Sequence, residues 1–341
     1  MKKVLAFVSL MVAAIMVLTA CGASPTPTAE PPTAVPPTVA PPTAVPPTPE
    51  PTVNPLGTAA MPIIVAFEPS GTSSDITTGG QELLDALTAE TGLVFKGVVP
   101  TSYAALTEAM GSGNAQIGWM ATFAYILAHQ KGFADAALIT NRFGSDHYGS
   151  QFIANVSSKF TPAADKPGTE AELAPTLAQF KGKIACFGDP ESTSGYVVPM
   201  IFLKNAGLTD ADIPNPVFTG GHTQTVQAIY NGGTCDYGAT FVDARSNIAK
   251  DHPDVNDKVV VIYQTQAIIP NDNMSFAPDM PQNLRDQITV AMLKLSATDA
   301  GKKALKDLYQ ISGLTVVDDT AYDQFRSYLT TSGIDLSQYV K

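Results

Sequence analysis

From Met61 onward, short apolar runs rich in β-branched and aromatic residues alternate with stretches whose apolar residues recur at helical spacing, and this alternation constrains the fold most. Residues 62–67 read as a strand, 81–90 as a helix with Leu83, Leu84 and Leu87 on one face, and 93–99 as a second strand, with Gly92 stopping the helix. Residues 102–110 give a further helix with Leu106, Ala109 and Met110 inward, 115–120 a third strand, and 123–129 another helix. After a looser Pro-, Ala- and Thr-rich region between 160 and 176 the pattern restarts. It runs strand 183–187, helix 194–205 ended by Gly207, strand 217–219, helix 223–230, strand 235–241, and strand 259–263 leading out. Residues 281–341 read as mostly helical. Such alternation implies parallel strands with helices on the sheet faces, because parallel neighbours need a crossover. The expected class is therefore α/β, two lobes, each a mostly parallel sheet flanked by helices, with a ligand cleft between them. Residues 61–150 would form lobe 1, 151–265 lobe 2, and 266–341 would return to lobe 1 and end in helices that pack on it. The hinge is expected at the two crossovers, residues 149–153 and 263–267.

The N-terminus follows another logic. Lys2 and Lys3 precede a nearly unbroken apolar run over residues 4–18, the layout of a secretory signal and short for a membrane-spanning helix. Leu18-Thr19-Ala20-Cys21 with Gly22 after it resembles a bacterial lipobox. On that reading residues 1–20 are a signal peptide, Cys21 is lipidated and becomes the first residue, and the chain is extracytoplasmic, anchored to the membrane by its lipid. Residues 22–57 hold 13 of the 27 prolines and only two charges, Glu30 and Glu50. Proline fixes φ and removes a donor, so residues 21–60 read as the lipidated Cys and a semi-extended tether; at ~3.1 Å per residue the stretch 22–57 reaches about 110 Å at most.

Composition excludes several function classes. Lys+Arg is 20 against Asp+Glu 31, a net charge of −11, and no basic block interrupts the balance, so nucleic acid is not an expected partner. Beyond the leader there is no second long apolar stretch, which excludes a polytopic membrane protein. Cys186 and Cys235 could form one disulfide or remain as buried thiols, and their spacing does not decide. With four histidines and no CxxC or HExxH cluster, neither a metal nor another cofactor is expected.

The most informative segment is residues 181–196, where a buried strand runs through Asp189-Pro190 into Ser192-Thr193-Ser194-Gly195 at the start of a helix. The first turn of a helix has unpaired N–H groups and about half a positive charge, so an anion there meets aligned donors. One hydroxyl suffices to cap a helix; three, with a glycine that admits close approach, point to an anion site. A serine hydrolase built on Ser192 or Ser194, His222 and Asp243 is the alternative from another class, but no G-x-S-x-G elbow accompanies it, and no enzyme activity is expected.

Several motifs recur in an order that resembles one family. They are Glu90-Thr91-Gly92-Leu93, Ser102-Tyr103 opening a helix, Phe123-Ala124-Tyr125, His147-Tyr148-Gly149-Ser150, Ser192-Thr193-Ser194-Gly195, Gly220-Gly221-His222 and Ile268-Ile269-Pro270-Asn271-Asp272. The chain is similar to the phosphate/phosphite/phosphonate substrate-binding proteins of ABC importers, which have the two-lobed type II periplasmic-binding-protein fold. The resemblance implies a small phosphorus oxyanion as ligand and an ABC permease with its ATPase subunits as partners. It implies that Ser192, Thr193 and Ser194, with the amides near Gly195, grip the oxyanion, that Tyr103 closes over it from lobe 1, and that Tyr148 and His222 line the cleft. Asp243 and Asp272 are candidates to hold a ligand's amino group; near Asp243 the match is loose, and Thr240 or Val242 could equally point inward. Glu68-Pro69-Ser70 and Thr122 fall at the cleft edge without an assigned role, and Trp119 reads as core. No Arg or Lys falls inside these motifs, so binding by neutral donors is expected. Another anion, such as a sulfonate or a carboxylate, is the alternative ligand class.

Overall fold

The computed structural model describes residues 55–336. The signal peptide, Cys21 and the tether as far as residue 54 lie outside the described residues.

Lobe 1 begins with β1 (Ile63–Phe67), α1 (Ser73–Thr91), β2 (Phe95–Val98), α2 (Tyr103–Gly111), β3 (Ile117–Met120), α3 (Thr122–Gln130) and β4 (Asp135–Asn141). The chain crosses to lobe 2 through β5 (His147–Tyr148) and continues with β6 (Ser150–Asn155), α4 (Glu170–Leu177), β7 (Ala185–Phe187), α5 (Val198–Asn205), β8 (Val217–Phe218), α6 (His222–Asn231), β9 (Tyr237–Phe241), α7 (Val255–Lys258) and β10 (Val259–Gln264). It returns through β11 (Ile269–Pro270) to β12 (Asn273–Phe276), α8 (Gln282–Ala297), α9 (Asp299–Tyr309), β13 (Gly313–Val316) and α10 (Asp323–Thr331).

Both sheets follow one plan. Lobe 1 has the order β13-β4-β12-β3-β1-β2 and lobe 2 the order β10-β6-β9-β7-β8. In each, three neighbouring strands run parallel and the strand that has just crossed from the other lobe inserts antiparallel: β12 beside β3, and β6 beside β9. The sheets are thus mixed rather than mostly parallel, because a crossing chain enters the sheet from the opposite end. The crossovers themselves pair, Tyr148 opposite Ile269 and His147 opposite Pro270. Residues 150–153 and 263–264, expected at the hinge, are instead paired strand residues of lobe 2, with Phe152 opposite Tyr263. Gly149 marks the true crossing: a Cβ there would lie 2.7 Å from the Thr265 carbonyl oxygen, so only glycine lets the two connections run this close.

Lobe 1 closes its core with Ile63, Phe67, Trp119 and Met274 on one face of the sheet under α1, α8 and α9. Gly79 and Gly80 sit inside α1, where glycine costs about 1 kcal/mol relative to Ala. They allow contact: a Cβ on Gly79 would fall 2.8 Å from the backbone of Leu308 in α9. In lobe 2, Phe152, Phe180, Phe187 and Tyr237 form the core, Phe180 stacking on Tyr237 at 4.0 Å, and a disulfide joins Cys186 to Cys235 with Cα atoms 5.7 Å apart. Val197, Val198 and Ile201 of lobe 2 bury against Tyr103, Met110 and Phe325 of lobe 1, so the lobes share an apolar seam. Asp319 accepts a hydrogen bond from the Tyr125 hydroxyl at 2.8 Å and pairs with Arg326, tying the C-terminal helix to lobe 1.

Candidate functional site

The segment after β7 folds as the donor-rich turn its composition implies, with one refinement. Before α5 the chain makes a wide π turn over Thr193–Val197, Val197 N–H donating to the Ser192 carbonyl at 3.1 Å. This turn divides the three hydroxyls. Ser192 and Ser194 line the cavity between the lobes, whereas Thr193 turns away, its Oγ1 accepting from Phe123 N–H of α3 at 2.9 Å. Thr193 therefore bonds across the lobes and is not among the residues that line the cavity. Asp189 does the same one turn earlier, accepting from Tyr103 N–H at 3.3 Å.

Ser192 Oγ accepts the Gly195 N–H at 3.1 Å and lies 3.4 Å from His222 Nε2. Gly195 is packed underneath: a Cβ would sit 2.7 Å from Ser192 Oγ and 3.1 Å from His222 Cε1. Ser194 Oγ is buried and has no partner among the described residues. His222 is also buried, its Nδ1 without a partner and its pKa pushed down to about 3 by burial, then by the Arg142 charge, so the ring is neutral across the physiological range. A catalytic triad is not assembled, since Asp243 does not reach His222. Its carboxylate caps the turn after β9 and is held by Arg245, whose Nε donates at 3.0 Å, and by Gln151 Nε2 at 2.9 Å. Asp243 is not among the cavity-lining residues, which corrects the expectation that it faces a ligand. Phe241 takes that wall, edge-on to the His222 ring at 4.9 Å.

From lobe 1, Tyr103 is buried with its hydroxyl against Ser192 and Glu68. Burial first, and then the charge of Glu68, holds that phenol well above its ordinary pKa, so it keeps its proton. Tyr148 lines the cavity with its hydroxyl toward Ser194, its pKa likewise raised by burial and then by Asp272. Asp272 lines the cavity too, but paired with Arg142, Nη2 to Oδ2 2.5 Å. Thr122 is fully buried, its hydroxyl donating to the Pro270 carbonyl rather than facing the cleft.

Arg142 escaped the sequence reading, and Glu68 was placed at the cleft edge without a role. Arg142 brings a cation into a site expected to rely on neutral donors; it sits over the Phe241 ring at 5.7 Å. Glu68 is buried at the end of β1, accepts from Ala121 N–H, and has its pKa pushed well above the carboxyl range by burial, then by Asp272. A protonated Glu68 can donate. The cavity enclosed has a volume of about 720 Å³. Its walls meet across the cleft through His222 N–H to the Ser70 carbonyl at 3.0 Å and Gln310 Nε2 to Asn247 Oδ1 at 2.8 Å. Hydroxyl, phenol, imidazole and guanidinium donors converging from both lobes can replace the water around an oxyanion.

Two α/β lobes joined by paired crossovers around a donor-lined cleft define a type II periplasmic binding protein. More particularly, the chain belongs to the family of ABC-transporter phosphonate periplasmic substrate-binding proteins, whose model matches residues 65–322. The phosphate-import protein PhnD of Mycolicibacterium smegmatis is 32% identical over 189 residues, covering 52% of this chain and 54% of that protein, so the chain spans about half the length of this curated relative. A binding-protein component of an ABC phosphonate transporter from Pseudomonas aeruginosa superposes with a TM-score of 0.70 at 22% identity, covering 80% of this chain and 86% of that one. PhnD1 from Prochlorococcus marinus in complex with methylphosphonate gives a TM-score of 0.70 at 16% identity, over 80% and 98% of the two chains. At these identities the two structures support the fold.

Proposed function

We propose that this protein is the extracytoplasmic, lipid-anchored receptor of an ABC importer, which captures a small phosphorus oxyanion by lobe closure and presents the closed form to the permease. The observation that carries this reading is the convergence of Ser192, Ser194 and His222 from lobe 2 with Tyr148 and Arg142 from lobe 1 on one cavity. Family membership and the phosphate-import relative agree with a phosphate, phosphite or phosphonate ligand. Ser194 Oγ donates to the oxyanion, with Ser192, the neutral His222 and the Tyr148 phenol beside it; Tyr103 supports Ser192 and Glu68 from behind. The lobes rotate about the two crossovers, which pair through Tyr148 opposite Ile269 and His147 opposite Pro270, and Thr193 and Asp189 latch the closed state. Cys21 carries the lipid, and the proline-rich segment gives the receptor its reach to the permease.

Calorimetry of the full chain with phosphate, phosphite and methylphosphonate tests this. Stoichiometric binding with the ligand recovered unchanged is expected. Binding of a sulfonate or carboxylate alone, or turnover of a phosphate ester, would overturn it.

A further inference from the structure

The charges lining the cavity carry information about the part of the ligand that is not phosphorus. The cavity of about 720 Å³ runs from the hydroxyl cluster out to a mouth lined by Asp75, Lys302 and Lys306, so a substituent on phosphorus has room along it. Four carboxyl groups line this space: Glu68 and Asp272 lie inside it and have partners, while Asp75 and Asp307 lie exposed at its mouth. Asp272 is paired with Arg142 at 2.5 Å. Asp307 is paired with Lys303 at 2.6 Å. Asp75, at the mouth, takes the hydroxyl of Thr72. Glu68 accepts from Ala121 N–H, and burial raises its pKa well above the ordinary carboxyl value. The cations are differently placed. Arg142 Nε is buried without a partner although its Nη2 is held, and Lys302 and Lys306 line the mouth with no acid partner among the described residues.

We propose that Arg142, held by Asp272, makes this cleft select against a ligand whose substituent carries an ammonium group and admit bare, alkyl or anionic phosphorus compounds. The inference rests on the reading of the site as a phosphorus-oxyanion receptor and names its substrate class more closely. An ammonium entering the cavity meets a guanidinium where it would need a carboxylate, and freeing Asp272 for it would strand Arg142 in a buried position. An uncharged or anionic substituent breaks nothing, and an oxygen on it can accept from Arg142 Nε.

Ethylphosphonate, 2-aminoethylphosphonate and phosphonoacetate share one head and differ in the charge at the far end, so calorimetry of the full chain against the three isolates the effect. Ethylphosphonate and phosphonoacetate are expected to bind at least about ten-fold more tightly than 2-aminoethylphosphonate. In Arg142→Gln the freed Asp272 should close or reverse the gap between ethylphosphonate and 2-aminoethylphosphonate. Should that variant misfold around an unpaired Asp272, Arg142→Gln with Asp272→Asn removes both charges and should still shrink the gap, without favouring the amine. Equal affinities in the natural protein, or a gap that survives in the variants, overturns the proposal while leaving the phosphorus reading intact. Failure of every phosphorus compound, phosphate included, overturns both.

Discussion

Ser194 presents a buried hydroxyl beside the Tyr148 phenol, and Ser192 one that faces the cavity beside His222. A bound oxyanion that loses such a donor is left partly unsolvated, at a cost of about 1–3 kcal/mol each. Ser192→Ala with Ser194→Ala is therefore expected to weaken phosphate, phosphite and methylphosphonate alike by about ten-fold or more, read by calorimetry. Gly195→Ala drives a methyl into Ser192 Oγ and His222, and a comparable loss for every ligand is expected while circular dichroism stays unchanged. These positions were legible because their chemistry is local: hydroxyls and a glycine at a helix start act through their own turn. Arg142 was not, and Glu68 was legible only as a cleft-edge residue without a role. Each lies at the end of a strand, and whether such a charge faces solvent or the cleft depends on what the neighbouring strand ends bring beside it.

The π turn and the start of α3 act as a pair. Thr193 Oγ1 accepts the Phe123 N–H, a bond that spans the lobes and exists only when they are together. Thr193→Val leaves that amide unpaired in the closed state alone, so affinity for all ligands should fall by about ten-fold with the thermal midpoint of the ligand-free protein unchanged. A variant that retained full affinity would show that the latch contributes nothing. The sequence pattern placed this turn at the right helix but assigned Thr193 to the ligand, because the extra residue of a π turn redirects one hydroxyl and leaves no mark in composition. Helix α1 was read eight residues short at its start, since Gly79 and Gly80 look like a break until Leu308 of α9 is found packed against Gly79 and Phe67 against Gly80. Strand β13 went unread for a related reason: Gly313, Leu314, Thr315 and Val316 form an exposed edge whose pairing with β4 is the only thing that extends them.

At the scale of the whole molecule, closure buries groups that open lobes would leave wet. Glu191 sits beside the π turn with Asp189, and faces Lys131 and Glu108 of lobe 1. Burial, then the Asp189 charge, pushes its pKa up from 4.5 to about 7. The folded form thus holds a proton that the unfolded chain releases, and the stability linked to Glu191 is full below about pH 4.5 and lost as pH rises through about 7. Glu191→Gln should flatten that decline, measured as the thermal midpoint across this window; a parallel decline in the variant would exclude Glu191 as its source.

The sequence by itself determined that this chain makes two alternating α/β units behind a proline-rich segment, and that one turn concentrates donors for an anion, because periodicity, proline and helix-start chemistry are written in neighbouring residues. Only the tertiary structure decided that Arg142 and a buried Glu68 of raised pKa join the site, that Asp243 is taken by Arg245, and that Thr193 bonds across the lobes. Those outcomes depend on burial and on partners more than a hundred residues away along the chain in the case of Arg142 and Asp272, whose pairing is 130 residues apart. Charge state and orientation follow from what packs beside a group, and no local pattern carries that.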